Sequence, residues 1–161
     1  MWNKKVRGQR RKLKTLLRNM EKINADFSFE GEVRGLHVPS SPWIEMPKTY
    51  GKIKTEFCRK FIVKTEKIIE QKPSDIGFCK VICAITYPEL WNSEIMIFRS
   101  EEYFKNFWDR NDSYQTWTKI EGRSFATERG IKTDLKEVGY IEDLVEEDYT
   151  HRSFIWFYGE L

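Results

Sequence analysis

Three cysteines and two histidines in 161 residues leave little to build a metal or redox centre from. Cys58, Cys79 and Cys83 are an odd and sparse set, consistent with reduced thiols in a cytoplasm. On a strand over 78–86, Cys79 and Cys83 would stand roughly 13 Å apart at about 3.3 Å per residue, too far to share a zinc. They read as small buried apolar residues. His37 and His151 are isolated in the sequence, and the carboxylates at 142–148 lack the alternating spacing of a calcium loop. No metal and no cofactor is expected.

Motifs that commit a chain to a reaction are also missing. There is no G-x-S-x-G, P-loop, H-E-x-x-H or dinucleotide fingerprint, so the chain reads as non-enzymatic, with an enzyme of unrecognised type as the third-ranked function. No RNP-like pattern, KH loop or paired C-x-x-C is present either. No window approaches about 18 uninterrupted apolar residues, and the N-terminus is too basic and interrupted for a signal peptide. A cytoplasmic protein without a membrane partner is the expectation. Internal repeats and low-complexity tracts are absent.

What the sequence does contain is enough apolar material for a core, with 40% hydrophobic and 15% aromatic residues. It also contains an uneven charge. Residues 1–22 hold nine bases and one acid, a net +8, inside a chain whose total is +3. The opposite sign gathers late, with Glu142, Asp143, Glu146, Glu147 and Asp148 crowded into seven positions.

The basic segment has helical periodicity. At about 100° per residue, Leu13, Leu16, Leu17, Met20 and Ile23 share one arc, while Arg7, Arg11, Lys14, Arg18 and Lys22 share another. Gly8 delays the start of the helix. The basic stripe over Arg7, Arg11, Lys14 and Arg18 suits a polyanion or an acidic partner. Two plainer readings stand beside it: the solvated back of an amphipathic helix, and a surface neutralised by the chain's own acidic segment.

The remaining periodicities predict helices near 9–25, 49–71 and 101–110, and strands near 78–86, 94–99, 116–120, 124–128 and 153–158. Phe27, Phe29 and Val33 alternate as in a short strand, but the stretch to Pro47 reads mainly as a long loop. Ser100 is a good N-cap for the third helix. The element order predicts a single α+β domain spanning 1–161. Its sheet is largely antiparallel, of about 4–5 strands, with two N-terminal helices and one further helix packed mainly on one face. Leu13, Leu17, Phe57, Phe61, Val81, Ile97, Phe104 and Phe157 are the expected core.

Trp91 and Asn92, in the turn PELWNS, sit where an aromatic anchor can be exposed. Together with Glu142, Asp143, Glu146, Glu147 and Asp148 they form the candidate surface for a protein partner, since complementary charge orients association. KKVRGQRRKLK, PELWNSEIMIF and HRSFIWFYGEL together resemble an uncharacterised family of small cytoplasmic proteins from bacilli and related bacteria, a domain of unknown function of about this length. The resemblance implies a bacterial cytoplasmic setting and a single domain, and supplies no site residues. By analogy with other small proteins of this kind, the leading expectation is a protein-binding inhibitor or immunity protein. A nucleic-acid-binding accessory protein using the basic helix is the runner-up.

Overall fold

The computed structural model describes residues 8–39, 51–87, 90, 93–106, 125–143 and 152–158, with 138–143 and 152–158 described through their backbone pairing. The elements in chain order are α1 (Gln9–Met20), β1 (Val33–His37), α2 (Gly51–Glu70), β2 (Lys80–Tyr87) and β3 (Glu94–Phe98). They continue with α3 (helical at 101–106), α4 (Phe125–Glu128), β4 (Lys136–Asp143) and β5 (Arg152–Tyr158).

The five strands form one sheet in the order β1-β3-β2-β5-β4, every neighbouring pair antiparallel. The α+β class with an antiparallel sheet is thus the observed one. β2 reads as a continuous apolar run because both its faces are covered. Val81, Cys83 and Ile85 join the larger core with α1 and α2, while Ile82 and Ala84 join a smaller cluster with Met96 and Phe98. Two of the longer helices therefore share one face, and α3 lies against the other through Tyr103 and Phe104. Phe98 meets the Phe104 ring edge-on at 5.3 Å. Ser100 caps α3 as expected, its hydroxyl accepting the Tyr103 N–H at 3.2 Å.

α2 forms the ridge of the larger core, with Phe57, Phe61, Ile62 and Ile68 fully buried and the Phe57 and Phe61 rings stacked at 5.5 Å. Its two flanks meet different parts of the chain. On one, Lys60 and Lys64 reach Glu21 at the end of α1. On the other, Glu66 accepts the Thr133 hydroxyl at 2.5 Å and the Asp134 N–H at 3.3 Å.

Several expectations differ from the structure. Residues 124–128 were expected as a strand, but Phe125–Glu128 is helical. The cause lies twelve residues away: the Glu137 carboxylate accepts the N–H of Phe125 at 2.7 Å and of Ala126 at 3.4 Å. Gly130, at φ 65°, then closes the turn in the left-handed region, with Ile131 N–H donating to the Ala126 carbonyl at 2.9 Å. The strand expected near 116–120 lies outside the described residues.

The stretch expected to be mainly loop contains β1, pinned to β3 from Val33↔Phe98 to His37↔Glu94. The acidic stretch expected only as a surface begins inside β4, which pairs with β5 through a bulge between Glu137 and Gly139. α1 ends at Met20 instead of near Ala25: its last backbone bonds tighten to Lys22 N–H on Asn19 and Ile23 N–H on Met20, and the Glu21 carbonyl accepts from Lys64 at 3.1 Å. Of the expected core, Leu13, Phe57, Phe61, Val81 and Ile97 are buried, whereas Leu17 and Phe104 are half-buried. The Phe157 side chain lies outside the described set.

Candidate polyanion-binding face

α1 is fixed from below. Leu13, Leu16 and Met20 are at most 1% exposed, so the helix is anchored along its whole length. The cations above are therefore carried on a rigid support. Arg11, Lys14 and Arg18 are exposed, as is Arg10, which sits one turn before Lys14 and extends the row. On the wheel these residues and Lys22 lie within about 120°, opposite the buried arc. Among the described residues none of the five has a carboxylate partner; Arg18 makes only a 3.5 Å contact with the Thr15 hydroxyl.

Helix stability does not account for the two arginines of the first turn. The first turn of α1 contains no acid, its N-cap is Gly8 at φ 92° without a side-chain cap, and Arg10 and Arg11 stand at the positive end of the helix dipole. Cations there typically cost about 0.3–1 kcal/mol each. Gln9 beneath them is 2% exposed, and its Oε1 has no hydrogen-bond partner among the described residues. The start of α1 thus concentrates positive potential where the helix dipole makes it costly.

Other candidate residues are not gathered into a reactive site. His37 ends β1 with Nε2 3.2 Å from Glu94 Oε2, at an exposed edge. His151, Arg7, Trp91, Asn92, Glu146, Glu147 and Asp148 lie outside the described residues. Glu142 and Asp143 belong to β4, where their backbones pair with Ser153 and Arg152. The three thiols are buried, and burial raises them all, Cys58 to about 12. Such thiols are poor nucleophiles and poor metal ligands at neutral pH. No group of three or more His, Cys, Asp or Glu suited to a metal occurs among the described residues.

An open cavity of about 540 Å³ lies between α4 and the start of β4, lined by Thr127, Lys132, Thr133 and Glu137 among others. Two of its polar side chains are already engaged. Both Glu137 oxygens hold α4, and the Thr133 hydroxyl is given to Glu66. Lys54 is buried near Cys58 and Arg129, and desolvation draws its ammonium below the usual lysine range.

The chain is thus an α+β protein whose distinguishing described surface is a cationic helix face. Over residues 9–160 it matches the family described as "Protein of unknown function (DUF3916)", and it belongs to that family. No curated protein and no solved structure matches it. Among the described residues, no helix is long and apolar enough to cross a membrane.

Proposed function

We propose that this protein is a non-enzymatic binding protein of the bacterial cytoplasm that holds a polyanion on the basic face of α1. In this reading it acts as a nucleic-acid-binding accessory protein through Arg7, Arg10, Arg11, Lys14 and Arg18. The supporting observation is the row of exposed bases along a rigidly anchored helix, Arg10, Arg11, Lys14 and Arg18, which have no carboxylate partner among the described residues. Arg11 and Arg18 are separated by about 10 Å of helix rise, a span that meets more than one phosphate. The test is fluorescence anisotropy with labelled duplex DNA and RNA over a salt series. Binding should weaken with a log–log slope of about −0.9 per phosphate neutralised on a DNA duplex, and reversal of Arg11 and Arg18 to Glu should weaken it without unfolding the chain. Absence of salt-dependent binding to either nucleic acid would overturn the reading.

One observation favours a second reading, a protein partner of inhibitor or immunity type. Leu90 is buried at φ 66°, a conformation that costs a non-glycine residue free energy. It is held by its N–H to the Thr86 carbonyl at 2.8 Å, and the Thr86 N–H reaches the Ser93 hydroxyl at 3.1 Å. The neighbouring Trp91 and Asn92 are the proposed aromatic contact, with Glu142, Asp143, Glu146, Glu147 and Asp148 as an acidic one. Under this reading a co-purifying protein survives nuclease treatment and is lost on Trp91→Ala.

A further inference from the structure

We infer that the anion-binding surface continues from α1 onto α2 through Lys60, Lys64 and Lys67, and that its ligand is the phosphate backbone of a nucleic-acid duplex, held without reading base sequence. The inference rests on the nucleic-acid reading above and enlarges its site.

The bridge between the helices is Glu21. Its carboxylate lies 3.8 Å from Lys60 Nζ, and its main-chain carbonyl accepts from Lys64 Nζ at 3.1 Å. These two contacts set the lysine row of α2 beside Lys22 and Arg18 at the end of α1. Lys67 continues the row one turn further, where a small cleft of about 70 Å³ opens between residues 23–25 and α2, flanked by Asn24, Lys64, Lys67 and Gln71. That cleft is a seat for one anionic oxygen group. The carboxylate one turn before Lys60, that of Glu56, is taken by Arg59. The combined surface holds eight bases, Arg10, Arg11, Lys14, Arg18, Lys22, Lys60, Lys64 and Lys67, with Glu21 as the carboxylate between the two helices.

The character of the patch selects the ligand. The axes of packed helices stand about 8–10 Å apart, so rows on two of them form a broad field instead of a single line. None of the residues in it is aromatic, so it offers no stacking platform of the kind that holds single strands. It also lacks the apolar centre typical of a protein interface, whereas nucleic-acid interfaces are dominated by positive charge. Contacts confined to phosphates position a protein on a duplex and carry no sequence information.

The experiment measures wild type, Lys67→Glu, Lys64→Ala/Lys67→Ala and Glu21→Gln against a short DNA duplex, its scrambled-sequence counterpart and one of its single strands, across salt. Two lost phosphate contacts should reduce the slope by about 1.8 in the double variant. Lys67→Glu should weaken binding at least as much as Lys67→Ala would, and its side chain holds no other described element in place. Glu21→Gln should bind more tightly, because Lys64 keeps its main-chain partner while the carboxylate charge is gone. Both duplexes should bind alike and more tightly than the single strand.

Unchanged slope and affinity in the Lys67 and Lys64 variants, with wild-type duplex binding intact, would overturn the extension onto α2 and leave the α1 reading standing. A preference for the single strand, or for one duplex sequence, would overturn the ligand assignment, as would equal displacement by polyglutamate of matched charge. Absence of any wild-type binding would remove the underlying reading as well.

Discussion

His37 and Glu94 face each other across a glycine: Nε2 and Oε2 are 3.2 Å apart, and a Cβ on Gly35 would stand 2.9 Å from that same Oε2. The glycine leaves the space in which the cross-strand pair closes over β1. His37↔Glu94 is the last pair of the β1–β3 register, so the side-chain contact fastens the end of the ladder.

Gly35→Ala should therefore change stability little. The added methyl meets the flexible end of Glu94 and displaces an exposed pair worth about 0–1 kcal/mol, while a less flexible unfolded chain returns about 0.4–1 kcal/mol. In a Glu94→Ala background the obstruction is gone, and the same substitution should stabilise by about 0.4–1 kcal/mol. Urea denaturation of the four proteins in the cycle measures the difference. Equal effects in both backgrounds would show that the glycine has no bearing on the pair.

Glu137→Ala should melt α4 selectively. Losing a carboxylate that caps two N–H groups costs about 0.5–2 kcal/mol. Hydrogen exchange should accelerate at Phe125 and Ala126 while Phe57–Ile68 of α2 stay protected. Glu137→Gln, which keeps an acceptor, should lose less.

Much of this architecture was legible in the sequence, and the parts that were not share a cause. α1, α2, β2 and β3 have dense apolar periodicity, and their buried residues lie where that periodicity puts them. β1 shows only Leu36 and a half-buried Val33 to the cores and carries Gly35, so its pattern looks like loop. It is a strand because β3 supplies its hydrogen bonds. β4 is disguised by charge and by a bulge, and α4 by a cap that comes from a residue twelve positions on. The basic face was visible on a helical wheel. Its neighbours on α2 were not, because a single helix pattern does not reveal that Glu21 lies against Lys60 and Lys64.

Phe61→Ala should cost about 3–5 kcal/mol, since its ring is fully buried against Phe57 in the larger core. Phe104→Ala should cost clearly less. That residue is half-buried, and its ring contacts Phe98 and Phe78 on the thinner side of the sheet. Chemical denaturation of the two variants, compared at equal m-value, checks the ranking.

Alkaline pH should destabilise the fold through its thiols. Burial lifts Cys58 from 9.0 to about 12, and Cys83 is raised as well, so the native state keeps protons that the unfolded chain releases above pH 9. Each such thiol removes about 1.4 kcal/mol of stability per pH unit between its unfolded and folded pKa. Lys54, lowered from 10.5 by desolvation, acts in the opposite sense just below that value, where the native state holds its proton less tightly than the unfolded chain does. The comparison of wild type with Cys58→Ala isolates the thiol: the variant should lose stability less steeply from pH 9 to 11.

The strand order has a consequence for how the molecule is made. β5, the last of the five to be synthesised, lies between β2 and β4, and each of those strands pairs with it. While the ribosome is still adding residues before Arg152, β2 lacks one of its two neighbours in the sheet and β4 has no partner among the described strands. The two halves of the sheet can join only when β5 emerges. A nascent chain stalled before that point would present open strand edges to other chains, which makes this interval the one in which a chaperone has most to shield.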